Sequence, residues 1–205
     1  MLNALRVSPH SMLRSARIAV ADTRRPPRLQ IPEARFDALP VHLVLRCMLE
    51  RSSVRDALDY LQSAGSASTA NVVLADPTTA VSIELHPRRI EVILPDKNGL
   101  VLHTNHLVQL KDEREMFLWP DSLRRLPRLA DLTRLAVAEG LTPSFETYRR
   151  ILSDRTDGET SICRHEGAEG IETVFSIAID GQSRRAEVKV GRPDEGGEIL
   201  VLAFP

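Results

Sequence analysis

The sequence predicts an α+β domain with antiparallel sheets stacked between helical layers. Three observations carry that expectation. Apolar residues repeat at helical spacing over residues 41–61 and again over 121–151. Short apolar runs with period-two alternation follow each helical stretch. Turn-forming clusters at hairpin spacing separate those runs, so neighbouring strands are expected to pair antiparallel.

Residues 1–39 stand apart. Pro26, Pro27 and Pro32 lie among arginines in a stretch with neither period, and Pro40 follows it. The stretch is expected to be irregular or disordered, apart from "MLNALRV", which could end a strand. Residues 40–205 form the regular part. Val41, Val44, Leu45, Met48 and Leu49 make one helical face, with Pro40 suited to the first turn. Ser53 offers an N-cap with Asp56 three residues on, and Ala57, Leu58 and Leu61 line the helix it opens.

The pattern then changes to strands at 71–75, 80–85, 89–94 and 100–105, read as one antiparallel meander. In "AVSIEL", Val81, Ile83 and Leu85 point one way, and Ser82 and Glu84 the other. A helix follows, with Leu123, Leu126, Leu129, Leu132 and Leu135 as its ridge, Asp121 or Ser122 as cap and Gly140 as stop. Pro127 lies inside that pattern, where it suits a late start or kinks an early one. "PSFETYRRIL" reads as a further helix capped by Ser144, and runs at 172–179, 184–190 and 198–204 as a second meander.

The bulk numbers exclude several classes. The 205 residues suffice for a sizeable core, and a formal net charge of −1 gives no basic face for nucleic acid. Two local arginine clusters, Arg24, Arg25 and Arg28, and Arg124, Arg125 and Arg128, read as solvated surface. No apolar run is long enough for a membrane span, and no secretory signal pattern opens the chain. Cys47 and Cys163 form no disulfide framework and no metal-ligand spacing, so a reducing cytoplasm is expected.

Two stretches carry possible chemistry. "LVLHTNHL" ends an apolar strand in His103, Asn105 and His106. On a continuous strand His103 and Asn105 share one face and His106 takes the other, so a two-histidine chelate needs a break at Thr104, and no metal is expected. Asn105 has two readings. Its amide can donate to a developing oxyanion from a rigid strand end, or it can cap the strand by bonding to the next turn. "TSICRH" sets Cys163 beside Arg164 and His165, but adjacent residues of an extended chain face apart, and a buried, inert thiol is the expectation.

Taken together, "PVHLVLRCMLE", "SIELHP", "GLVLHTNHL", "DSLRR", "SICRH", "ETVFSIAID" and "VGRP", in this order, resemble the acyl-coenzyme A:6-aminopenicillanic acid acyltransferase family, the isopenicillin N acyltransferases. The resemblance runs from Pro40 to the C-terminus, and "HTNH" and "SICR" are its more specific motifs. It implies an αββα sandwich of the N-terminal-nucleophile hydrolase type, here incomplete, because neither cysteine falls where the family places its nucleophile. It implies acyl transfer or hydrolysis on amide or thioester substrates through an acyl-enzyme on an N-terminal cysteine, with no cofactor. Asn105 would be the oxyanion-hole amide. His103, His106 and Arg164 would lie on the substrate side, the histidines shaping the strand end. The chain is therefore expected to be a C-terminal fragment, inactive alone. Alternatives are one piece of a split enzyme completed by a separate chain, or a non-catalytic binder of a small acyl ligand. Half a sandwich should expose sheet edges and self-associate.

Overall fold

A computed structural model describes residues 3–6, 37–111, 120–165 and 172–203. The Pro/Arg-rich stretch with Arg24, Arg25 and Arg28 lies outside them. The chain divides into two compact units, Met1–Leu118 and Trp119–Pro205, each with helices and antiparallel strands, so the α+β expectation holds.

The first unit opens with β1 (Asn3–Arg6), followed by α1 (Val41–Leu49) and α2 (Val54–Ala64). Pro40 stands one position before the first turn of α1, as its N-cap. The Ser53 hydroxyl accepts from the Asp56 N–H at 3.1 Å and starts α2. The return half of the expected box goes to Ser52, whose N–H donates to Asp56 at 3.0 Å. Gly65 stops α2 at φ 64°, a left-handed value that favours glycine. Asp76 joins this helix start to the next strand pair: it accepts from the N–H groups of Val54 at 2.7 Å, Thr78 at 2.7 Å and Thr79 at 3.0 Å.

Strands β2 (Ala70–Ala75), β3 (Ala80–His86) and β4 (Arg89–Ile93) form one antiparallel sheet in that order. Val81, Ile83 and Leu85 of the central β3 join Val44, Leu45 and Met48 of α1, Val54, Ala57 and Leu61 of α2, and Val72 and Leu74 of β2 in one core. The opposite face of β3 is also buried: Ser82, Glu84 and His86 are all out of solvent. A strand buried on both faces can hold a charged residue inside the molecule, provided that residue finds partners.

The expected four-strand meander stops at β4. The next strand, β5 (Leu100–His103), leaves the sheet and pairs antiparallel with β1, Asn3 opposite His103. Asp96 makes the departure: its carboxylate accepts from the N–H groups of Asn98 at 2.8 Å and Leu100 at 2.9 Å. β5 also ends two residues earlier than its apolar run suggests. Thr104 lies outside regular structure, and Asn105 and His106 form a bend.

The second unit holds α3 (Pro120–Ala138), α4 (Phe145–Leu152) and the antiparallel sheet β6 (Phe175–Asp180), β7 (Arg185–Val190) and β8 (Ile199–Ala203), in that order. The second meander is as the sequence predicts. Ser144 caps α4 by accepting from the Thr147 N–H at 3.1 Å. Arg149 of α4 reaches Glu187 of β7 at 2.8 Å.

Helix α3 corrects the leucine ridge. It is continuous through Pro127, and its buried positions are Asp121, Ser122, Arg125, Leu129, Thr133 and Ala136, while Leu123 and Leu135 are each 52% exposed. A repeat of three advances about 300° per step, so five leucines wind around the helix instead of lining one side. Arg125 is likewise not solvated surface: it is buried and donates from Nε to Asp121 at 2.8 Å.

Candidate functional site

The segment after β5 is held by one carboxylate. Glu84, on the β3 face turned away from the helical core, has a fully buried side chain. Its Oε1 accepts from His103 Nε2 at 2.8 Å and from the Val108 N–H. Its Oε2 accepts from the N–H groups of Gln109 at 2.9 Å and Leu110 at 3.0 Å. Burial alone would push this carboxyl up, but the His103 and three backbone hydrogen bonds outweigh it and hold it down at about 2. The anion is thus stabilised inside the fold by four donors.

His103 is engaged at both ends. Its Nδ1 faces the Thr104 carbonyl at 2.5 Å while Nε2 faces Glu84. The ring is thereby anchored at both nitrogens, by a carboxylate on one side and a backbone carbonyl on the other. His106 meets the Thr104 hydroxyl through Nδ1 at 3.1 Å. The break at Thr104 that a two-histidine chelate would need is present, but the His103 nitrogens are spent on Glu84 and Thr104. Asn105 lies between, half-buried at the bend. The strand alternation that put His103 and Asn105 on one face does not apply, because the strand has already ended.

In the second unit, Arg164 pairs with Asp121 in the first turn of α3, beside Arg125. Burial lowers the Arg125 guanidinium to about 10. The neighbours of Arg164 turn the other way. Cys163 is fully buried and donates its S–H to Asp194 Oδ1 at 3.1 Å, and His165 Nε2 donates to Asp194 Oδ2 at 3.0 Å. Burial, then the Asp194 carboxylate, pushes the Cys163 thiol up to about 11, which disfavours the thiolate a nucleophile requires. Cys47 is half-buried on α1.

The sequence singles out Asn105, His103, His106 and Arg164 as candidates, and gives Glu84, Asp121 and Asp194 no role at the site. For Glu84 a signal existed: an acid inside an apolar run, at a position a double-faced strand buries.

Residues 29–195 match the sequence model of the family described as acyl-coenzyme A:6-aminopenicillanic acid acyl-transferase. The chain belongs to that family. A curated acyltransferase relative, the acyl-coenzyme A:6-aminopenicillanic-acid-acyltransferase 40 kDa form of Emericella nidulans, is 31% identical over 181 residues, a span that covers 86% of this chain and 49% of the relative. The chain thus spans about half the length of that acyltransferase. Both motifs that carry chemistry, "HTNH" and "SICRH", fall inside the matched acyltransferase region. No helix among the described residues is long and apolar enough to cross a membrane.

Proposed function

We propose that this chain is the C-terminal part of a cysteine-type N-terminal-nucleophile acyltransferase or amidohydrolase, acting on small acyl-amides or acyl-thioesters. In this reading its two units belong to an αββα sandwich completed by polypeptide outside the 205 residues, on the same chain or a separate one. The attacking sulfur comes from that other part, since Cys47 sits on a core helix and Cys163 is a buried thiol tied to Asp194. Alone, the chain does not turn over substrate.

One observation carries the reading: the buried Glu84 carboxylate fixes both ends of the 103–110 segment, through His103 and through the N–H groups of Val108, Gln109 and Leu110. A donor on a bend so braced needs no reorganisation as negative charge develops, which is what an oxyanion-stabilising amide requires. Asn105 is that donor. His103 positions it, His106 lies on its substrate side, and Arg164, oriented by Asp121, takes a substrate-side role of its own.

The test is turnover of an acyl-thioester and an acyl-amide by the purified chain, alone and together with a cysteine-bearing N-terminal piece. The expected result is no turnover alone and restored turnover on completion. Asn105→Ala should then cut the restored kcat by roughly 10²–10³. Turnover by the chain alone that survives replacement of both cysteines by alanine would overturn the mechanism.

A further inference from the structure

Cys163, His165 and Asp194 bring a sulfur, an imidazole nitrogen and a carboxylate oxygen within 4.8 Å of one another. We propose that these three side chains form a binding site for a thiophilic divalent cation of the zinc type. A mixed sulfur, nitrogen and oxygen donor set suits zinc, and three protein ligands leave a fourth tetrahedral position for water or substrate. Ligand atoms around tetrahedral zinc stand roughly 3.3–3.7 Å apart, given bonds of about 2.0–2.3 Å. Here Sγ lies 3.1 Å from one Asp194 oxygen and Nε2 lies 3.0 Å from the other, with all three ligand atoms within 4.8 Å, so side-chain adjustments of about an ångström reach that spacing.

The surroundings hold these donors in place. The Cys163 N–H donates to the Asp154 carbonyl at 2.9 Å, its carbonyl accepts from Ser161, and the Arg164 N–H donates to Thr173 at 2.9 Å. Cys163 and His165 both reach Asp194, while Arg164 between them reaches Asp121. Cys163 forms the closed floor of the cluster, and the His165 side chain, 32% exposed, leaves it open to solvent.

Two guanidiniums also face Asp194: Arg155 at 3.4 Å and Arg192 at 3.4 Å. They do not make the site repulsive to a cation. Arg192 is shared with Glu172 and Glu195, so three carboxylates, Asp194, Glu172 and Glu195, stand against two arginines. Arg155 is itself largely solvated.

The binding step exchanges a proton for a metal bond. The Cys163 S–H bond breaks, its proton goes to solvent, and the sulfur keeps the electron pair it gives to the cation. The proton that His165 Nε2 shares with Asp194 leaves that nitrogen, by way of solvent, for Nδ1, and the Nε2 lone pair goes to the cation. No oxidation or reduction is involved.

The experiment is titration of the purified full chain with cobalt(II), followed by zinc(II) displacement. One tightly held ion per chain is expected, with sulfur-to-cobalt charge-transfer absorption and the visible bands of a tetrahedral site. Cys163→Ser should abolish the charge-transfer absorption, and His165→Ala should weaken binding roughly tenfold or more. Should Cys163→Ser fail to fold, His165→Ala decides alone, since that side chain is partly solvated. Cys47→Ser should change nothing. A chain that takes up no cobalt, or whose spectrum and affinity are indifferent to His165→Ala, overturns the site.

Discussion

Glu84 and His103, nineteen residues apart in sequence, meet at 2.8 Å with side chains 0% and 1% exposed. Neither has water to turn to if the other is removed. Removing a buried, hydrogen-bonded carboxylate costs about 3–5 kcal/mol, because the donors it held stay buried without it. Glu84→Ala should lower the unfolding free energy by that amount in urea titration, and Glu84→Gln, which keeps one acceptor oxygen, by less. A loss under about 1 kcal/mol for Glu84→Ala would mean that the carboxylate does not organise the segment.

The same carboxylate sets an acid limit. Its folded value of about 2 lies below the ordinary 4.5, so its stabilisation is complete above that ordinary value and is lost as pH falls toward 2. The depression corresponds to about 3 kcal/mol. Denaturation midpoints measured across that window should fall steeply for the native chain and more shallowly for Glu84→Gln. Parallel curves for the two proteins would assign the acid sensitivity elsewhere.

Pro127 interrupts the hydrogen-bond ladder of α3 at an exposed position. An interior proline costs a helix about 3 kcal/mol, and here its replacement uncovers no core. Pro127→Ala should therefore raise Tm, by an amount worth roughly 1–3 kcal/mol. A lowered Tm would show that the ring is needed to shape the helix.

Every residue of β8 is exposed, including Ile199, Leu200, Val201 and Leu202, and among the described residues the strand pairs only with β7. A long apolar edge is a template for another strand. Sedimentation of the isolated chain should reveal concentration-dependent self-association, and Val201→Lys should reduce it. A monodisperse monomer at every concentration would count against an open edge.

How much of this was legible beforehand follows the range of the interactions. Ser53, Ser144 and the hairpins at 180–185 were readable because caps and tight turns are fixed within four residues of chain. β3 was readable to the level of faces, since alternation separates Val81, Ile83 and Leu85 from Ser82 and Glu84. The departure of β5 was not: it depends on β1, almost a hundred residues upstream, competing with β4 for its edge. The leucines of α3 misled because a spacing of three resembles helical periodicity over one turn and drifts over four. For the candidate site, the composition of "HTNH" marked the place, but Glu84 and Asp194 act from 19–26 and 29–31 residues away. No local pattern could join them to their partners.

The four-donor grip of Glu84 has a practical corollary for anyone altering substrate preference. The contour of the turn between Thr104 and Leu110 is written partly in β3, on the far side of a hairpin from the turn itself. Exchanging that turn for one from another family member, while keeping the host's β3, should transfer its letters without its shape. The two stretches form one heritable module and would have to be transplanted together.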